Sequence, residues 1–170
     1  VVRLSLMSQL KGALAEGQLE LHYQPKLTIA NDKIETLECL IRWFHPEHGF
    51  VPPDDFIPLA EQTGAIRHVT QWALRTACEQ LKQWRDKNIY FSVAVNISAI
   101  DLVDLSLPAS INSLLNEFDL PPSSLTMEVT ESAVMGDPEN ALKALNLLRD
   151  MGVSLSIDDF GTGYSSMAQH

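Results

Sequence analysis

Val153-Ser154-Leu155-Ser156-Ile157-Asp158-Asp159-Phe160-Gly161-Thr162-Gly163 is the stretch on which the fold turns. Its first six residues alternate, with Val153, Leu155 and Ile157 on one face and Ser154, Ser156 and Asp158 on the other, as a strand places them. Two adjacent carboxylates then lead straight into a loop with two glycines. Neighbouring anions repel, and each resists burial unless paired or bound to a cation. The pattern suits a strand end that holds a metal beneath a loop.

Working outward, the same split recurs. Leu125, Met127 and Val129 oppose Thr126, Glu128 and Thr130, while Phe91, Val93, Val95 and Ile97 oppose Ser92, Ala94, Asn96 and Ser98. Farther upstream, Leu37, Cys39, Ile41 and Trp43 oppose Thr36, Glu38, Leu40 and Arg42, and Leu19, Leu21 and Tyr23 oppose Glu20, His22 and Gln24. A parallel sheet covered on both sides is apolar on both faces. Strands apolar on one face and small or polar on the other predict a barrel, with helices outside and chemistry inside. An open sheet with one wet face is the alternative.

The connections support this. Helical spacing over Val2 to Glu16 ends at Gly17. Strands over Leu19–Pro25 and Ile34–Trp43 are too closely joined for a crossover helix, so they predict an antiparallel hairpin. A short helix opened by Pro52-Pro53-Asp54-Asp55 is expected through Ala60, with further helices over Ile66 to Lys87, Leu105 to Phe118 and Pro138 to Met151, alternating with strands over Tyr90–Ser98, Leu125–Glu131 and Val153–Asp158. Such alternation means βαβ units and a parallel sheet. The expected class is therefore α/β, a TIM-like (β/α) barrel with an antiparallel first strand, of which about the first five strands are present. The whole of 1–170 reads as one domain, with 1–17 a leading helix and 18–170 carrying strands 1–5 and the loop after strand 5.

The 170 residues are 45% apolar with a formal charge of −10, which argues against a nucleic-acid polymer or an anionic membrane surface as partner. No apolar stretch approaches the roughly 20 residues of a membrane-spanning helix, and no signal peptide is expected. Beginning at Val1 rather than a methionine, the sequence reads as excised from something longer. Cys39 and Cys78 read as reduced, buried thiols.

The inward set Glu38, Asn96, Glu128, Asp158 and Asp159 offers only oxygen donors, which favour Mg²⁺, Mn²⁺ or Ca²⁺ over zinc. Two such ions suit phosphoryl chemistry. Arg42 is placed to fork onto a phosphate or to pair with a nearby carboxylate. Glu131, of opposite parity to Glu128, is expected to accept N–H bonds from the loop after Asp159 or to be a plain surface residue. His45 and His48 read as surface residues flanking a turn, and His22 as a hydrogen-bonded wall residue.

Together, Tyr23-Gln24-Pro25, Glu38-Cys39-Leu40 with Arg42-Trp43, Phe56-Ile57-Pro58-Leu59-Ala60-Glu61, Val95-Asn96-Ile97-Ser98, Glu128-Val129-Thr130-Glu131-Ser132 and Asp158 to Ser166 resemble the EAL-domain phosphodiesterases, which cleave cyclic di-GMP. The resemblance implies Glu38, Asn96, Glu128 and Asp158 as metal ligands, Asp159 serving a second Mg²⁺ or Mn²⁺, and Gln24, Leu40, Arg42 and Asp159 as substrate contacts. Catalysis is implied for Glu38, Asp158 and Asp159, with Glu131 steadying the loop 160–166. That loop is also implied in homodimer contacts.

The implied reaction is in-line attack of a metal-activated water on one phosphodiester, giving linear pGpG. A cytoplasmic domain is implied, within a membrane-bound or soluble signalling protein that also carries sensor or diguanylate-cyclase-like domains. Two departures stand out. Cys39 replaces the signature's alanine, pointing away from the site. The sequence also ends at His170, before a strand on which the family carries a catalytic lysine, so a non-hydrolysing cyclic di-GMP receptor or an inactive fragment is the alternative. Another Mg²⁺-dependent barrel, of enolase type, leaves the hairpin and the Gly161-Thr162-Gly163-Tyr164 loop unexplained.

Overall fold

The computed structural model describes residues 2–28 and 33–158, with side chains over 8–26 and 35–158. A leading helix, α1 (Val2–Ala15), gives way at Gly17, which takes a left-handed φ of 74°, to the hairpin strands β1 (Leu19–Thr28) and β2 (Lys33–His45). These pair antiparallel, as expected, and β3 (Gly49–Val51) folds back onto the end of β2. The chain then runs through α2 (Pro53–Thr63), α3 (Ile66–Asp86), β4 (Ser92–Asn96), α4 (Ala99–Leu102), α5 (Leu107–Glu117), β5 (Leu125–Thr130), α6 (Glu131–Gly136), α7 (Pro138–Met151) and β6 (Ser154–Asp158). The strand order is β1-β2-β4-β5-β6, and the pairs β2·β4, β4·β5 and β5·β6 are all parallel. This is the (β/α) arrangement with a reversed first strand, its described strands forming an open path from β1 to β6.

Local chemistry explains the helix limits. Pro53 starts α2 without losing a needed N–H, Asp54 and Asp55 face the positive end of its dipole, and Gly64 closes it in the left-handed region. Asp137 caps α7 by accepting the Asn140 N–H. At the far end of α7, Gly152 takes φ 99°, and a Cβ there would stand 3.3 Å from the Pro122 ring. Only glycine meets both demands at low energy.

Alternation places the apolar faces outward, under the helices. Leu37 and Cys39 of β2, Val93 and Val95 of β4, and Leu125, Met127 and Val129 of β5 pack with Ala73, Leu74, Ala77, Cys78 and Leu81 of α3, Ile111 and Leu115 of α5, and Leu145 and Leu148 of α7. A second cluster joins α1, the hairpin and α2 around Trp43, which is fully buried edge-on against Phe56 and donates its indole N–H to Gln18. Both cysteines are buried free thiols, as expected. Among the described residues no helix is long and apolar enough to cross a membrane.

Several features differ from the sequence expectation. His45 is buried rather than on the surface: its ring packs near Trp43, bonds to Gln9, and accepts the N–H groups of Glu47 and His48. One ring nitrogen thereby holds the turn into β3, so local hydrogen bonding overrides the polar look of the segment. The helix expected from Leu105 begins at Leu107, and Ala99–Leu102 forms a separate turn of helix. That turn is fixed by a capping box between Ser98 and Asp101, whose carboxylate also accepts the Thr70 hydroxyl at 2.6 Å. Glu131 opens a short helix, α6, instead of ending β5.

Candidate functional site

Strand register sets the relative heights of the inward side chains. Gln24 lies directly across from Glu38 on the hairpin, and His22 across from Leu40. On the other side of β2, Glu38 is level with Ala94, and Ala94 with Thr126. One inward step higher, Asn96 pairs with Glu128, and beyond that Thr130 pairs with Asp158. The donors thus rise from strand to strand, as the stagger of a barrel requires. Ala94, fully buried between them, has only a methyl group and leaves the interior to its neighbours.

One contact measures how far the sheet curls. The Lys26 ammonium of β1 stands 3.7 Å from a Glu38 oxygen and hydrogen-bonds to Glu128 of β5. Strands β1 and β5 are three places apart in the sheet, about 14 Å if it were flat. Side chains from both can meet only because the inner face is rolled into a concave wall.

The electrostatics follow from burial. Only 8% of the Glu38 side chain and 13% of the Glu128 side chain are exposed, against 39% for Lys26. Burial pushes the Glu128 carboxyl above the ordinary carboxylate range. The hydrogen bond and charge of Lys26 oppose that rise, and the charges of Glu38 and Asp158 add to it. Glu128 Oε2 takes the ammonium, but its Oε1 is buried with no hydrogen-bond donor. An orphaned carboxylate oxygen of this kind costs about 1–3 kcal/mol unless something binds it.

The structure therefore brings Glu38 and Glu128 together through a cation and sets Asn96 beside Glu128. Asp158 is exposed at the end of β6, near enough for its charge to act on Glu128. Among the described residues, no three His, Cys, Asp or Glu side chains by themselves close around an ion. Asp159 and the loop 160–166 lie outside the described residues, as does any bond from that loop to Glu131, which is exposed in the first turn of α6. Leu40 is buried on the inner face, and half-buried Arg42 donates to the Ile41 carbonyl at 3.1 Å. An ion pair from Arg42 to a carboxylate is absent among the described residues. The donor chemistry fits a hard divalent cation: two buried carboxylates, an amide oxygen within reach of the same face, and one oxygen in want of a partner.

Lys26 is the residue that sequence reasoning missed. The hairpin strand was expected to end at Pro25, whereas β1 runs on to Thr28. Continuing the alternation His22, Gln24 by one step would have placed Lys26 inward. Asp101 was also passed over, although Ser98 three residues before an acid is a helix-start signature.

Comparison with known proteins agrees with this geometry. The family model described as the EAL domain matches residues 7–170. The chain is similar to the bifunctional diguanylate cyclase/cyclic di-GMP phosphodiesterase MucR of Pseudomonas aeruginosa, at 45% identity over 97% of this chain and 24% of that protein. It is also similar to the cyclic di-GMP phosphodiesterase NbdA of the same organism, at 44% identity over 97% of this chain and 21% of that protein. The chain thus spans roughly a quarter or less of the length of these curated relatives. The solved structure of the MucR phosphodiesterase in complex with c-di-GMP superposes with a TM-score of 0.86 at 44% identity, covering 96% of this chain and 67% of that one. By its sequence, its reversed first strand and its inward acids, the chain belongs to the EAL domain family.

Proposed function

We propose that this chain forms the metal-dependent catalytic site of a cyclic di-GMP phosphodiesterase that opens one phosphodiester to give linear pGpG. The observation that carries the reading is the buried carboxylate pair, Glu38 and Glu128, which share the Lys26 ammonium on a concave wall, with one Glu128 oxygen left unpartnered. Such a pair is costly to keep without a cation. The relatives' names supply the substrate.

Glu38, Asn96, Glu128 and Asp158 would hold a Mg²⁺ or Mn²⁺ ion, with Asp159 serving a second. Such ions supply Lewis-acid stabilisation of phosphoryl charge and a nucleophile at neutral pH. The chain's own part is to orient and to exclude. Arg42 and Gln24 would hold a phosphate and its ester against the acids, and Leu40 would wall off water beside them. Glu131 is proposed to steady the loop 160–166, through which a second copy would dock. A sensor or cyclase-like domain in the same polypeptide would set the activity.

The test is incubation of the purified protein with cyclic di-GMP and Mg²⁺ or Mn²⁺, following pGpG by chromatography. Turnover that disappears on chelation and in Glu38→Ala supports the proposal. Tight binding of cyclic di-GMP with no pGpG would refute hydrolysis and make the protein a receptor.

A further inference from the structure

We propose that Lys26 is a built-in counter-cation that competes with the divalent ion for the Glu38–Glu128 pair, and so weakens the site's metal affinity. The inference rests on the metal reading above, but concerns a residue outside the expected ligand set.

Three observations carry it. The first is position. Lys26 follows Gln24 in inward parity and stands at the register shift between Lys26 and Leu27. A bulge of this kind re-aims the side chain beside it. The second is contact: the ammonium meets carboxylates from two strands at once, Glu38 at 3.7 Å and Glu128 by hydrogen bond. A flexible four-carbon stem ending in a point charge is suited to bridging two anions.

The third is asymmetry of burial. The two carboxylates are nearly enclosed, whereas 39% of the lysine side chain is exposed. The acids have little access to water, whereas the ammonium has much more. Lys26 also leaves Glu128 Oε1 without a donor, so it compensates the pair only in part. A divalent ion that binds both carboxylates has to take the place of this ammonium, which then swings outward along its exposed side. Metal uptake is therefore an exchange of cations. Without metal the lysine keeps two like charges together, and with metal the cost of displacing it is subtracted from the binding energy.

Calorimetric titration with MnCl₂ alone tests this, on metal-free wild-type protein and on Lys26→Met, which keeps the stem and loses the charge. The expected result is tighter Mn²⁺ binding in the variant by about tenfold, or about 1.4 kcal/mol. In chelator, the same variant should melt below wild type, because the carboxylates have lost their counter-charge. Lys26→Arg, which retains a cation, should bind Mn²⁺ with an affinity close to that of wild type. A merely structural lysine would not give this opposition, since a loosened site binds metal less tightly. Unchanged or weaker Mn²⁺ binding in a folded Lys26→Met overturns the role of Lys26 and leaves the metal reading intact. Absence of Mn²⁺ binding in both proteins overturns the metal reading, and the competition with it.

Discussion

Replacing Glu128 by glutamine separates a functional carboxylate from a structural one. The substitution keeps shape and removes charge. If the Lys26–Glu128 contact were a fully buried ion pair, deleting one partner would cost about 3–5 kcal/mol. The lysine, however, is 39% exposed and can rehydrate, so the pair behaves more like a surface one, worth about 0–1 kcal/mol. Against this loss stands the removal of a buried charge: glutamine still leaves a polar atom at the orphaned Oε1 position, but a neutral one, which costs less to bury than an anion. The two effects offset, and metal-free Glu128→Gln should match the stability of wild type to within about 1 kcal/mol.

Urea unfolding at pH 7.5 in chelator, with an unchanged slope, measures this directly. The pH dependence has a definite sign. A carboxyl raised in the folded state contributes most below its unfolded value, and that contribution is lost as pH climbs through the folded value. Metal-free wild type should lose this part of its stability above about pH 4.3, and Glu128→Gln should lack that segment of the profile. Mn²⁺ affinity should meanwhile fall by more than about a hundredfold, beyond the effect of losing a mere outer partner. A loss of 3 kcal/mol or more in chelator would refute the reasoning and make Glu128 part of the scaffold.

Other consequences can be checked as simply. Cys39, buried on the outer face of β2, should tolerate alanine with turnover within about twofold of wild type and a stability loss near the roughly 1 kcal/mol typical of point mutants, whereas Glu38→Ala next to it should abolish turnover. A folded but inactive Cys39→Ala would refute the assignment of faces. Burial pushes the Cys78 thiol up to about 12 and raises the Cys39 thiol as well, so both are protonated at pH 8. Both should resist a disulfide reagent until urea unfolds the chain, and stability should decline as pH rises past the ordinary thiol value near 8.5. Asp101→Ala deprives the nearly buried Thr70 and Ser98 hydroxyls of their acceptor and uncaps α4. Unfolding should become easier by about 1–3 kcal/mol, moderated because burial already raises the Asp101 carboxyl. An unchanged urea midpoint would show that the capping box does not hold the segment after Asn96.

Much of the architecture was legible because alternation is a local property. Leu125 to Thr130 reads buried-outward and half-buried-inward in the structure as it does in the sequence, and the short Asn31-Asp32 link forced an antiparallel hairpin. His45 was misread for the converse reason. Its burial depends on Gln9 and on its own turn, partners that hydropathy does not reveal. The identity of the inward acids was likewise readable, since parity needs only the residue order.

Height and distance were not readable. Whether Glu38 comes near Glu128 depends on shear and curl, which are sums over three paired strands rather than features of any one. The sequence by itself determined which face of each strand carries oxygen donors, and that the first strand runs backward. Only the tertiary structure decided that Lys26, one residue past the expected strand end, reaches across three strand spacings to stand between the two acids. The physical reason is that a side chain's face is set by a period of two residues, whereas its neighbours across the barrel are set by how the whole sheet bends.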